Sequence, residues 1–239
     1  MKKDKIIGSK ILSSFEDLYH GTLPKVEFNI AHVDKDKILD TLDLHGEYKI
    51  ILGRQEHGDN VFVDTDKQKS QGLRIIPNTD AIITNVPRTI IVLYTADCVP
   101  VFIFDKNKKI ISIVHSGYKG TIKKIVPKVI AELTNQFNSK KKDLLVYMGP
   151  SIGRCCYYAR NEEREVIFKK YFDDYLKLVD GKYHLDLSGS LENDILNAGI
   201  PKSNIEKSSI CTSCNLNFSS YRREGKNRKA SNLNLMMLK

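Results

Sequence analysis

No stretch of the chain approaches the roughly 20 consecutive apolar residues of a membrane-spanning helix. The opening MKKDKIIGSKILSSFEDLYH carries too short an apolar run for a secretory signal. These two absences set the expectation of a cytoplasmic protein that does not enter a membrane. Cysteine is scarce and odd in number: there are five, none spaced like a secreted disulfide framework, so thiols or metal ligands are expected rather than bridges. No internal repeat, low-complexity tract or Pro/Gly/Ser-rich linker divides the 239 residues, so a single domain spanning 1–239 is expected. Basic residues outnumber acidic ones by 38 to 29, for a formal charge of +9. They are spread along the chain, and no aromatic-interleaved basic motif accompanies them. A nucleic-acid-binding module would therefore rest on net charge alone, whereas a lysine-rich solvated surface accounts for the same charge, and phosphate-bearing small substrates come second.

What is present is enough for a sizeable core, since 41% of the residues are hydrophobic. KVEFNIAHVD, YKIILG, NVFVD and GLRIIP read as short β-runs, and DKDKILDTLDLHG as a short helix ending at Gly46. TIIVLYT, VPVFIFD and KIISIVH follow in quick succession, with the polar DKNKK between the last two as a hairpin turn. TIKKIVPKVIAELTNQF has helical spacing with Pro127 as a kink or a delayed start, and LLVYMG is a further strand. ARNEEREVIFKKYFDDYLKL and DLSGSLENDILNAG read as two more helices, the second stopped by Gly199. The expected fold is a mixed α/β (α+β) domain of mixed, largely antiparallel sheets flanked by helices, with the site at strand ends.

The hairpin carries chemistry. If Asp105 lies opposite Ile110, His115 falls opposite Pro100 and within two residues of Cys98. A lone cysteine or a lone strand-end histidine is ordinarily structural. Together, a thiolate and an imidazole at one hairpin end make either part of a metal site or a nucleophile with its base. GRQEHGDNVFVD offers His57 beside Gly58, where backbone can approach a ligand closely. Two imidazoles and one thiolate would form a three-ligand zinc site with a fourth position open, the arrangement of catalytic zinc. A solvated turn histidine is the other reading of His57, and spacing alone leaves both standing. Asp97, next to Cys98, suits a proton acceptor, a partner that orients an imidazole, or a turn residue capping its own backbone.

TADCVP, HSGYKGT, GPSIGRCCYYA and SYRREGKNR occur in this order after GRQEHG. Together they resemble the family first named multicopper polyphenol oxidases, or laccase-domain proteins, and now read as purine nucleoside phosphorylases. The likeness runs from about FNIAHVD to the C-terminus. It implies zinc on His57, Cys98 and His115, and phosphorolysis of adenosine, inosine, guanosine and methylthioadenosine, with adenosine deamination as a further activity. It also implies that Asn29, Arg54 and Gln55 reach ribose or phosphate and that Arg222 points into the site. The implied partners are a purine nucleoside and phosphate; the oligomeric state stays open.

The chain departs from the family pattern at several places. Ser116, Tyr118 and Lys119 stand where Ala, Trp and Arg are usual, Glu56 where Val is usual, Tyr158 where Glu is common, and Asn227 in place of Gly. Lys119 keeps a cation but loses the bidentate fork of arginine. The glycines of HSGYKGT, ahead of a helix, suggest free amides that cradle an anion.

Other chemistries remain to be weighed. A His57, Cys98, His115 set also resembles a blue-copper centre, which makes copper an alternative metal. Multicopper oxidation needs further histidine pairs, and only His20, His32, His45 and His184 remain, with no His-x-His. A cysteine hydrolase is the competing enzyme class, with Cys98 as nucleophile and His115 as base. It would act on an amide, and the resemblance implies a substrate for it, since the family is also linked in some bacteria to removing wrongly incorporated amino acids from cell-wall precursors. Cys155 with Cys156, and Cys211 with Cys214 in a single Cys-x-x-Cys, are expected to be structural thiols.

Overall fold

Strands buried on both faces read as continuous apolar runs, and this is how the chain builds its core. The computed structural model describes residues 6–27, 34–65 and 72–239. In chain order its first half contains β1 (Leu18–Glu27), α1 (Lys35–Leu42), β2 (Lys49–Gly53), β3 (Val61–Asp64), β4 (Gly72–Ile76), β5 (Ala81–Thr84), β6 (Thr89–Thr95), β7 (Val99–Asp105) and β8 (Ile110–Ser116). There follow α2 (Tyr118–Ile122), α3 (Ile125–Phe137), β9 (Leu144–Met148), α4 (Glu162–Phe172), β10 (Leu176–Val179) and β11 (Lys182–Leu185). The last elements are α5 (Leu187–Asn197), β12 (Ile205–Lys207), α6 (Tyr221–Glu224) and β13 (Ala230–Leu238).

The strands form a five-stranded sheet in the order β1-β13-β6-β2-β4, a six-stranded sheet in the order β12-β9-β7-β8-β5-β3, and the separate β10-β11 hairpin. Both large sheets are mixed: β13 runs antiparallel to β1 and β6, for example, whereas β2 runs parallel to β4 and β6. Alternate residues of each strand face opposite layers. Phe102 and Phe104 of β7 meet Ile91 and Leu93 of β6 and Met236 of β13 between the two sheets. Val101 and Ile103 point the other way, against Val129 and Leu133 of α3, Phe168 of α4 and Leu191 of α5. On the far side of the five-stranded sheet, Ile90 and Val92 pack with Ile38 and Leu42 of α1. The result is helix, sheet, sheet, helices, the mixed α/β architecture that the pattern predicts.

Several boundaries differ from expectation for local reasons. The strand expected at KVEFNIAHVD lies partly in 28–33, outside the described residues, and β1 begins well before it. α1 ends at Leu42 because Asp43 adopts the left-handed conformation and its N–H caps Asp40 and Leu39 carbonyls, so Gly46 lies beyond the stop. The helical run after HSG begins earlier, at Tyr118, and breaks at Lys124 (φ 58°). Pro127 then sits in the first turn of α3, where its missing N–H has no helical acceptor to lose. The helix expected through Leu178 ends at Phe172. Asp180 (φ 48°) and Gly181 (φ 72°) make the tight Asp-Gly turn of a hairpin, so the residues on either side become β10 and β11.

One ion pair ties the sheets together. Lys49 of β2 reaches Asp64 of β3 at 2.7 Å, with the side chains 6% and 1% exposed, and Thr84 Oγ1 donates to the other carboxylate oxygen at 3.3 Å. Removing one partner leaves the other charge buried, which costs about 3–5 kcal/mol, whereas replacing both by apolar groups is far milder. Lys49→Met should therefore lower the unfolding free energy by that amount in urea titration, and Lys49→Met with Asp64→Leu should recover most of it. A single-variant loss below about 1 kcal/mol would show that the pair contributes no more than a surface contact.

Candidate metal centre

Two segments of one sheet end and one loop supply the ligand candidates. The β7-β8 ladder pairs Asp105 with Ile110 and Pro100 with His115, so Cys98, just ahead of β7, meets His115 as the hairpin register requires. His57 arrives on the loop between β2 and β3 with φ 58°. One ligand atom from each of His57, Cys98 and His115 lies within 4.8 Å of the others, and the two imidazoles meet edge to face with centroids 4.8 Å apart. An ion with bonds of about 2.0 Å to nitrogen and 2.3 Å to sulfur fits among such donors after small rotations. His115 is buried, Cys98 is half-buried and His57 is exposed, so the centre opens to solvent on the His57 side. The borderline-soft donor set, two imidazoles and a thiol, suits zinc and also admits copper.

Asp80 organises this set, and it is the functional residue that the sequence patterns leave unmarked; the available signal is only an aspartate at the mouth of the strand AIIT. Its Oδ1 lies 2.7 Å from His115 Nδ1 and accepts the His57 amide at 3.0 Å. Its Oδ2 accepts the amides of Gly58 at 2.8 Å and Glu56 at 3.2 Å, and its own carbonyl accepts the His115 N–H at 2.7 Å. A proton on His115 Nδ1 directed at Asp80 leaves Nε2 for a ligand bond, the usual arrangement behind a metal-binding histidine.

Electrostatics follow from this packing. Burial opposes the Asp80 charge, but His115 and then the Gly58 and Glu56 amides outweigh it and hold the carboxyl below its ordinary range. Burial likewise pushes the Cys98 thiol up; His115 and His57 outweigh burial and bring it down to about 6. His115 moves the other way: burial lowers it, while Cys98 and Asp80 carry it up to about 9. Between those values, without metal, the pair is a thiolate facing an imidazolium, and a metal ion bound there would take the place of the Nε2 proton.

Gly117 is needed for close approach. A Cβ there would lie 2.7 Å from Cys98 Sγ and 3.3 Å from His57 Cδ2. Gly117 thus makes room for the ligands, and the helix it caps, α2, is a single short turn.

Residues 29–239 match the family model described as multi-copper polyphenol oxidoreductase laccase. The chain belongs to this family. A purine nucleoside phosphorylase of Clostridium acetobutylicum is 34% identical over 215 residues, covering 87% of this chain and 86% of the relative. An adenosine deaminase from an unknown prokaryotic organism is 30% identical over 191 residues, covering 74% of this chain and 71% of the relative. Among solved structures, YlmD of Geobacillus stearothermophilus aligns with a TM-score of 0.80 at 21% identity, covering 94% of this chain and 93% of that one. A YfiH protein of Bacillus licheniformis aligns at 0.79 and 24% identity over 93% of both chains. The two structures establish the shared fold.

The remaining site residues of this laccase-family chain are placed differently from one another. Asp97 is buried, with φ 95°, a conformation that few side chains adopt. Its Oδ1 accepts Thr212 Oγ1 at 2.8 Å and its Oδ2 the Arg222 amide at 2.5 Å. The task of orienting an imidazole belongs to Asp80, and Asp97 fastens the Arg222 segment beside Cys98. Arg222 itself is half-buried: Nη2 donates to the Tyr158 carbonyl at 2.9 Å, and the guanidinium lies 4.4 Å from the Tyr158 ring and 5.6 Å from the Tyr157 ring. The Arg222 amide bond to Asp97, the residue before Cys98, brings this segment alongside the metal ligands. Gln55 spends its amide on the main chain of Tyr94, donating to its carbonyl at 2.6 Å, so it braces the loop against β6. Arg54 and Lys119 are exposed, and Asn29 lies outside the described residues.

Two measurements test the centre. In metal-stripped protein, alkylation of Cys98 followed by peptide mass spectrometry should show a midpoint near pH 6. Asp80→Asn should move that midpoint upward by withdrawing support from the imidazolium; a midpoint at the ordinary thiol value of about 8.5 would remove the ion pair from the account. Gly117→Ala should weaken metal binding by about 10- to 100-fold, as other disturbances of ligand orientation do, in competition with a chromophoric chelator. Unchanged affinity would mean that the 2.7 Å approach does not constrain the ligands.

Proposed function

We propose that the protein is a zinc-dependent purine nucleoside phosphorylase, cleaving adenosine, inosine, guanosine or methylthioadenosine with phosphate, and that the same centre deaminates adenosine. The observation that carries this reading is a set of three convergent ligands, rather than four, opening to solvent beside a partly buried arginine with an unspent donor. Arg222 Nη1 is buried without a hydrogen-bond partner. Burial and then the neighbouring Arg160 lower its pKa, so this cation gains most from an anion. The relatives named as purine nucleoside phosphorylase and adenosine deaminase support the same chemistry.

Bound at these three side chains, zinc would supply Lewis-acid activation at its open coordination position. Asp80 holds the His115 tautomer and the His57 loop, so neither ligand must reorganise during the reaction. Arg222, with Lys119 from α2, would hold the attacking phosphate against the ribose, where cleavage of the N-glycosidic bond builds positive charge. Tyr158, standing where the family commonly has Glu, gives Arg222 a ring face beside its main-chain carbonyl. That leaves the cation free to pair with substrate. The five free cysteines suit the reducing cytoplasm. Among the described residues no helix is long and apolar enough to cross a membrane.

A cysteine hydrolase is the second reading, favoured by one observation: a thiol brought down to about 6 beside an imidazole is also what a nucleophilic cysteine requires. Cys98→Ser separates the two, because the metal reading expects loss of metal and of both nucleoside activities together, and the hydrolase reading expects an acyl group trapped on the parent Cys98.

The phosphate role is tested with inosine. Parent protein should release hypoxanthine only with phosphate present and should form ribose 1-phosphate. Arg222→Met keeps the main-chain bond to Asp97 but removes a charge-assisted contact worth about 1.5–3 kcal/mol. The phosphate KM should rise by at least about tenfold while the nucleoside KM changes less, and adenosine deamination, which uses water, should be less affected. Hypoxanthine release at an unchanged rate without phosphate would defeat the phosphorylase assignment.

A further inference from the structure

The other four cysteines also converge. Cys155 and Cys156, in the turn after β9, meet Cys211 and Cys214, in the loop after β12, with all four Sγ atoms within 4.8 Å of one another. Cys214 Sγ lies 3.5 Å from Cys155 Sγ and 3.3 Å from Cys156 Sγ. All four are free thiols. The single Cys-x-x-Cys of the sequence is therefore completed by a vicinal pair more than fifty residues away in the chain.

We propose that Cys155, Cys156, Cys211 and Cys214 bind a structural zinc ion, separate from the centre at His57, Cys98 and His115 and independent of the nucleoside reading. Sulfurs at the corners of a tetrahedron around zinc, with bonds of about 2.3 Å, lie about 3.8 Å apart; the 3.3 and 3.5 Å spacings lie a few tenths of an ångström inside that edge, and no two of the four sulfurs are more than 4.8 Å apart. Cys211-x-x-Cys214 has the ligand spacing of structural zinc loops. The turns are shaped for sulfur: the Gly153 amide donates to Cys211 Sγ at 3.2 Å, an arrangement that favours a thiolate. A Cβ at Gly153 would meet Cys211 Cβ at 3.2 Å and Cys155 Sγ at 3.3 Å. Four ligands fill the coordination sphere, which is the mark of a structural rather than a catalytic ion.

The location gives the ion a task. Ser151 and Cys211 form a β-bridge, and Thr212 N–H donates to the Ser151 carbonyl at 2.9 Å. Thr212, between the two loop cysteines, donates to Asp97, and Arg223 Nη1 donates to the Thr212 and Ser213 carbonyls at 3.0 and 2.9 Å. An ion here clamps together the loop that carries Tyr157 and Tyr158 and the loop that leads to Arg222.

Metal analysis of the full-length protein, purified under reducing conditions, tests the assignment. Parent protein should hold two zinc ions per chain. His57→Ala should lose one and keep the other, and Cys211→Ser with Cys214→Ser should lose the complementary one. Because the double variant could fail to fold, cobalt is also exchanged into the otherwise intact His57→Ala protein, where a tetrathiolate absorption spectrum is expected. Iodoacetamide should label the four thiols in that protein only after a chelator is added. The proposal is overturned by a metal-free His57→Ala protein, by iron rather than zinc at the four sulfurs, by ready alkylation of all four without chelator, or by a disulfide among them in the mass spectrum.

Discussion

A single buried carboxylate, Asp80, sets the geometry on which the metal centre depends. It reaches one ligand through a side chain, His115, and another through main chain, the amides on either side of and at His57. A hydrogen bond to a charged group is worth more than one between neutral groups, and burial makes each of these contacts hard to replace with water. Since Asp80 stands at the entrance to β5, and β5 pairs with β8, the carboxylate is fixed by the same ladder that carries His115. The loop bearing His57 has no regular structure of its own, so its position is inherited from the sheet through Asp80.

The hairpin was the most legible part of the site. Two apolar runs around a polar turn leave few registers, and the one that pairs Asp105 with Ile110 brings Cys98 and His115 together without further information. His57 was legible as a candidate but not as a neighbour, because the contact spans a loop and a sheet edge. Asp80 was not legible at all: an aspartate before a strand is common, and only the folded chain shows that four donors face it. Strand β13 was missed for a related reason. ASNLNLMML interleaves asparagines with apolar residues, which reads as an indifferent tail, yet Asn232 and Asn234 are fully buried. Asn234 accepts from Thr22 and donates to Thr95, and Asn232 bonds both the N–H and the carbonyl of Ser219. Their polarity is satisfied inside the sheet, something that hydropathy cannot reveal.

The second half of the site is held by loops and not by strands. Asp97 in its left-handed conformation, Thr212 and the Arg222 amide form a chain of contacts that a one-residue change in loop length would break. Such loops carry specificity while sheets carry position. Of the departures from the usual family residues, Ser116, Tyr118 and Lys119 lie instead with His115, at the end of β8 and on α2, and Tyr158 lies beside Arg222. Arg222 is supported there by the Tyr158 main-chain carbonyl and by the rings of Tyr157 and Tyr158, with no carboxylate among these contacts.

The strand order of the five-stranded sheet bears on how the protein is made. β13 lies between β1 and β6, so β1 stays apart from the rest of the first sheet until residues 230–238 have left the ribosome. Chains are synthesised at about 5–20 residues per second. For the time needed to make everything after β6, the inner faces of β1 and β6 have no neighbour on that side. The Arg222 segment precedes β13 and is pinned to it through Ser219 and Asn232, so the arginine gains this anchor only when the sheet closes. A nascent chain can therefore assemble the His115 and Cys98 hairpin early, whereas Arg222 joins it only once the last strand is in place.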